Sequence, residues 1–265
     1  MTPAITKTSG FSALIFSCLI GTSGVAHAQE CTLIMDAKTG GTIKEQGNCD
    51  TRVTAASTFK IPLALMAYDA GILSNSHAPL WDWKPGMRAP VRDQKPVDPT
   101  IWQADSVLWY SREITRLLGA ERFSSYVTRL GYGNMDVSGD PGAKNGLSQA
   151  WITSSLKISP REQAVFIQRL LTQQLPVAAG AHTQTMAIIP TFKTKSDWLV
   201  HGKTGSGWHR SSNGKVQKNK PVGWFVGWAE HQGRTIIFAR FGIGTVDGRQ
   251  GLVERDNLLA AFEAL

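Results

Sequence analysis

Cysteine is scarce in this chain, with three among 265 residues, too few for a dense disulfide framework to replace a hydrophobic core. Long apolar runs are missing too: the stretch Phe11 to Ile20 falls far short of the roughly 20 residues a membrane-spanning helix needs, and no other segment reaches that length. The six histidines form no His-x-His or His-x-x-x-His pair, and no carboxylate accompanies them at metal-ligand spacing, which argues against a metallo-hydrolase and against any bound metal. A phosphate-binding loop, a dinucleotide fingerprint, internal repeats and low-complexity linkers are also absent. Charged residues make up only 18% of the chain and hydrophobic ones 42%, the balance of a folded globular protein. The formal charge is +8, but the only dense basic stretch, Lys215 to Lys220, lacks interleaved aromatics for base stacking, so nucleic acid is not an expected partner.

The N-terminus carries one cation, Lys7, then the apolar stretch, then Ala26-His27-Ala28, a small-x-small cleavage pattern. Residues 1–28 are therefore expected to be a signal peptide and residues 29–265 a single exported domain, periplasmic and free of the membrane once cleaved. Cleavage removes Cys18 and leaves Cys31 and Cys49 in an oxidising compartment, where they are expected to pair, two buried thiols being the alternative. Monomer and homodimer both stay open.

Cys31 to Ala37 reads as a strand followed by the turn Lys38-Thr39-Gly40-Gly41. FKIPLALMAY, from Phe59 to Tyr68, is apolar all round except for Lys60, the pattern of a buried helix. Further helices are expected over Asp105 to Leu118 and Ala120 to Leu130, a loop over Gly133 to Gly146, and a helix opening at Ser159 with Pro160 and a Glu162 capping box. Trp198 to His201, Val222 to Ala229 and Thr235 to Phe241 read as strands, Lys215 to Lys220 as a solvated loop, and Val253 to Leu265 as a closing helix. Strands at both ends with helices between them predict an α+β fold: an antiparallel sheet built from both termini, flanked by helices, with a mostly helical middle.

Ser57-Thr58-Phe59-Lys60 is a Ser-x-x-Lys motif that places both side chains on one helix face. A serine needs a base to become a nucleophile, and a lysine serves only when burial keeps its amine neutral. The spacing recurs at Ser154 with Lys157 and at Ser212 with Lys215, but only the first copy opens an apolar helix. Lys-Thr-Gly also occurs twice: Lys38 to Gly40 reads as a hairpin turn, whereas Lys203-Thr204-Gly205 follows a strand and leads into Ser206-Gly207, where a substrate could approach closely.

In order along the chain stand Ser57 to Lys60, Ser106, Tyr132-Gly133-Asn134, the run from Trp151 to Ser159, and Lys203-Thr204-Gly205. This arrangement resembles the class D serine β-lactamases, oxacillinase-type enzymes of the penicillin-binding transpeptidase-like fold. The resemblance implies a small-molecule β-lactam substrate, a Ser57 acyl-enzyme and antibiotic resistance. It implies no cofactor beyond the carbon dioxide or bicarbonate that converts Lys60 to N6-carboxylysine, the base for acylation and deacylation. It further implies that Trp151 supplies a hydrogen bond to that carbamate, and that Ser106 relays protons between Lys60 and Lys203. The backbone N–H groups of Ser57 and Ser206 would form the oxyanion hole, Thr204, Gly205 and Arg255 or Arg249 would meet the substrate, and the Tyr132 motif would position its surroundings. Leu108 departs from the family's usual valine beside the carbamate. The alternative is a β-lactam-sensing receptor domain, similar in sequence, that acylates without turnover; a cell-wall transpeptidase would share the two lysine motifs but not the run after Trp151.

Overall fold

Val222 to Ala229 reads VGWFVGWA and is buried throughout, the continuous apolar pattern of a strand covered on both faces. In the computed structural model, which describes residues 30–211, 213–244 and 250–262 with Met1, Pro3 and Ala4, this segment lies within β7 (Val216–His231). Most of the expected leader, Cys18, Ser212 and Arg249 lie outside the described residues. β7 pairs with β6 (Leu199–Arg210) and β8 (Arg234–Ile243); β8 pairs with β1 (Glu30–Asp36), β1 with β2 (Thr42–Gly47), and β5 (Thr191–Lys193) with β6. All these pairings are antiparallel, so both ends of the chain build one sheet, ordered β2-β1-β8-β7-β6-β5.

Alternation sends Leu33, Trp224, Val226 and Ala239 to the face covered by the helical region, and Ile34, Phe225 and Phe238 to the face covered by Leu258 and Phe262 of α7 (Gln250–Phe262). The helical region holds α1 (Lys60–Asp69), α2 (Pro99–Asp105), α3 (Leu108–Leu130), the single turn α4 (Gly146–Gln149), α5 (Pro160–Leu171) and α6 (Ala179–Ala187). A two-stranded ribbon, β3 (Val53–Thr54) with β4 (Lys157–Ile158), joins the two parts. Cys31 and Cys49 are bonded, which ties β1 to the segment leading into β3. No helix among the described residues is long and apolar enough to cross a membrane.

Several boundaries differ from expectation. The expected helix start at Asp105 is the end of α2, whose N-terminus is set by Asp98 accepting from the Ile101 N–H and by Pro99 in the first turn. Ser106 then takes a left-handed conformation, φ 60°, before α3 opens at Leu108. Only two residues separate the helices and neither is Gly or Pro, so the apolar period runs on across the break. Lys157, of the second Ser-x-x-Lys copy, is in β4. Lys215 to Lys220, expected as loop, turns at Asn213-Gly214 and enters β7, where it pairs with the end of β6. That hairpin projects past the core, so its ladder is held by backbone hydrogen bonds while its side chains stay charged and solvated. Lys203-Thr204-Gly205 does not follow its strand but lies within it, because β6 continues to Arg210.

Candidate active site

Ser57 sits on a 3₁₀ turn, Ala56–Phe59, just before α1. The turn is tightly determined. Ala56 is left-handed, φ 49°, a conformation unfavourable for a residue with a Cβ, and its N–H donates to the Trp151 carbonyl at 2.9 Å. Thr54 Oγ1 donates to the same carbonyl at 2.9 Å and accepts from the Thr153 N–H at 2.8 Å, which laces the serine turn to the Trp151 segment. On the helical side, Thr58 Oγ1 donates to the Ala55 carbonyl at 2.6 Å and accepts from Gln163 Nε2 at 2.6 Å, and Tyr132 Oη donates to Gln163 Oε1 at 3.2 Å.

Lys60 follows one helical turn after Ser57 and its Nζ lies 3.2 Å from Ser57 Oγ. The side chain is 0% exposed, and burial first, then the nearby Lys203 charge, pulls its amine far below the ordinary lysine range. Gln103 of α2 fixes the start of α1 by donating from Nε2 to the Lys60 carbonyl at 2.9 Å. Lys203, on β6, is also buried, and its Nζ lies 3.1 Å from Ser106 Oγ and 3.1 Å from the Thr204 carbonyl. Burial brings its amine down to about 7. The left-handed turn at Ser106 is thus what delivers its hydroxyl to the strand lysine; Ser106 caps α2 and does not lie inside a helix, as its sequence context suggested.

The Trp151 ring stacks on Phe59 at 5.2 Å with 22° between planes, and Phe123 meets it edge-on at 6.2 Å. Its indole Nε1 is buried and has no hydrogen-bond partner among the described residues, an arrangement that costs free energy unless an acceptor completes it. Leu108 opens α3 half-buried, two residues after Ser106.

β5 pairs only with Leu199 to His201, so from Lys203 onward one edge of β6 faces the helical region instead of another strand. Gly202 N–H donates toward that edge, to the Pro190 carbonyl, and Trp208 N–H does the same to Thr153 Oγ1. Strand alternation therefore turns the Ser206 N–H to the same side. Gly205 is a spatial requirement: a Cβ there would lie 3.0 Å from Thr58 Cγ2 and 3.2 Å from the Thr58 nitrogen, pressing on the nucleophile turn. The Ser206 hydroxyl accepts from the Gly251 N–H at 3.0 Å, which anchors the first turn of α7 to this strand.

Tyr132-Gly133-Asn134 is a brace. Asn134 exchanges backbone and side-chain hydrogen bonds with Ser155 and Lys157 at 2.8 to 2.9 Å, and Gly133, φ 59°, lies where a Cβ would be 2.1 Å from the Lys157 carbonyl oxygen. Arg255 is not brought to Ser57: its guanidinium pairs with Asp256 at 2.8 Å and covers the Phe192 ring, which packs with the cluster on the far face of the sheet. Ser154, of the second Ser-x-x-Lys copy, is engaged elsewhere, donating to Asp140 at 2.8 Å. The sequence reading missed Gln163, although a polar side chain on the apolar stripe of α5 with Phe166, Ile167 and Leu170 was a usable signal. It also missed Thr54 and Gln103, which carry none.

A model of the penicillin binding protein transpeptidase domain matches residues 30–249. Beta-lactamase OXA-9 of Klebsiella pneumoniae is 49% identical over 217 residues, 81% of this chain and 79% of its own length. Beta-lactamase OXA-1 of Escherichia coli is 37% identical over 201 residues, covering 75% and 70%. The solved structure of the class D beta-lactamase OXA-427 is similar with a TM-score of 0.82 and 40% identity, over 89% of this chain and 97% of its own.

Proposed function

Because this chain belongs to the class D serine β-lactamases and hydrolyses β-lactams, we propose that it opens penicillin-type rings through an acyl-enzyme on Ser57, with Lys60 in its carboxylated form as the base. The observation that carries this reading is a fully buried amine 3.2 Å from the serine hydroxyl. Only a neutral amine reacts with carbon dioxide, and the surroundings of Lys60 favour that form. The orphaned indole N–H of Trp151 is the kind of donor a buried carbamate requires. Carboxylation places an anionic oxygen acceptor within reach of the serine proton.

The Ser57 proton passes to the Lys60 side chain as Oγ attacks the lactam carbonyl carbon. Charge developing on the carbonyl oxygen meets the N–H groups of Ser57 and Ser206. The C–N bond then breaks, the leaving nitrogen takes a proton from Ser106, Lys203 replaces it, and the proton held on Lys60 passes on to restore Lys203, whose amine at about 7 exists in both forms at neutral pH, so that Lys60 is a base again. Deacylation reverses the roles: Lys60 takes a proton from water, the water oxygen attacks the ester, and Ser57 leaves with a proton returned to it. Thr204 and Gly205 line the strand edge along which the substrate lies. We assign the chain to the periplasm after export, with resistance to β-lactams as its consequence.

The test is turnover of a chromogenic β-lactam by the purified protein beyond one equivalent, with and without bicarbonate. Bicarbonate is expected to raise the steady-state rate, and Lys60→Ala to trap acyl-enzyme. Complete, fast turnover by that variant would remove Lys60 from the mechanism.

A further inference from the structure

Two arginines that the chemistry at Ser57 does not use face each other: Arg112, whose charge reaches the Lys60 amine, and Arg88. Arg112, on α3, is half-buried, and its guanidinium donates to the Ser148 carbonyl at 3.3 Å and to Gln149 Oε1 at 2.9 Å. Burial and the facing charge of Arg88 both press its proton affinity down. Among the described residues neither arginine has a carboxylate in ion-pair contact: Glu113 is held in a fork by Arg116, and Asp93 is paired with Arg92 at 3.0 Å.

Two cavities, of about 470 and 420 Å³, meet on this pair and share Arg88, Trp109, Arg112 and Gln149. The first is also lined by Glu113 and the second by Asp93, each already paired with another arginine; the second runs past Leu108 and Ile152, close in sequence to Ser106 and Trp151. The Arg112 charge is felt at the Lys60 amine. Two like charges converging on open space repel each other, and an anion between them relieves that repulsion. A guanidinium fork matches a carboxylate, while Trp109, Leu108 and Ile152 offer apolar walls for the group that carries it.

We propose that this groove receives a carboxylate on the acyl side chain of the β-lactam, so that the enzyme favours penicillins bearing a second negative charge. The inference rests on acylation at Ser57, and its test separates the two. Carbenicillin and benzylpenicillin differ by one side-chain carboxylate, and kcat/KM is measured for both with the native protein, Arg112→Gln and Arg88→Gln. Arg88 is exposed, so its variant keeps the test alive should Arg112→Gln fold poorly. The ratio of carbenicillin to benzylpenicillin kcat/KM is expected to fall about tenfold in each variant, the scale of one charge-assisted hydrogen bond. Turnover of benzylpenicillin by the native protein reports separately on the Ser57 reading. An unchanged ratio overturns the proposal. So does an unchanged ratio accompanied by loss of thermal stabilisation by sodium phosphate in Arg88→Gln, which would assign the groove to a free anion.

Discussion

At the scale of single residues, the site lowers the proton affinity of two lysines. Each lies in the interior with no carboxylate in ion-pair contact among the described residues, and desolvation is the first cause of its lowered proton affinity. For Lys60 the consequence is directional: acid restores the ammonium form, which cannot take up carbon dioxide, so dependence on added bicarbonate should grow as pH falls. Trp151 sharpens that expectation, because its N–H is an unpaired buried donor among the described residues and its ring is locked against Phe59 of the Ser57 turn. Trp151→Phe keeps an aromatic face for Phe59 and removes only the donor. We expect the variant to need more bicarbonate for half-maximal activity than the native protein, most of all at acidic pH, and to accumulate acyl-enzyme visible by mass spectrometry. An unaltered bicarbonate requirement would show that the indole acts through packing alone. Ser57, Lys60, Lys203 and Trp151 were legible as candidates because their motifs stand out by residue type and order, and the fold puts Lys60 beside Ser57 and Lys203 beside Ser106. Arg255 was not, since spacing alone cannot say which face of α7 a side chain occupies.

At the scale of elements, the sequence was most readable where a local signal fixes a boundary. The Ser159 to Glu162 capping box forms both of its hydrogen bonds, and the apolar run after Ser57 is a buried helix. It was least readable where tertiary partners decide: β2 is exposed along its length and exists because β1 offers it an edge, and the α2 to α3 break exists to aim Ser106. The brace at Gly133 belongs to this scale, for it fastens the loop after α3 to the segment that leads into α5, and so to Gln163 beneath the nucleophile turn. Gly133→Ala places a Cβ in a left-handed position against the Lys157 carbonyl oxygen. A left-handed non-glycine residue costs on the order of 1–3 kcal/mol, and the clash adds to it. We expect Tm to fall and residual activity to become heat-labile, which thermal denaturation followed by circular dichroism would measure. A Tm within 1 °C of native would mean the loop can move away at little cost.

At the scale of the whole molecule, the sheet needs both ends of the chain: β1 enters between β2 and β8, and its Leu33 pairs with Ala239, 206 residues away. Bringing such distant segments together is the costly part of assembling this fold, and β1 is the strand that the Cys31–Cys49 bond holds in place. The bond spans 18 residues, closes off β2 between its ends, and leads directly into the β3 ribbon and the Ser57 turn. A closed loop of that size restricts the unfolded chain by about 3 kcal/mol. Neither cysteine touches Ser57, Lys60 or Lys203, so the loss should register in stability and not in chemistry. The double variant Cys31→Ser with Cys49→Ser is therefore expected to unfold at lower denaturant concentration by roughly that free energy, while kcat/KM for benzylpenicillin at 25 °C stays within about twofold. A variant as stable as the native protein would mean that the β1 ladder alone fixes the N-terminus. A selective loss of kcat/KM at full stability would instead show that the bond positions the nucleophile turn through β3.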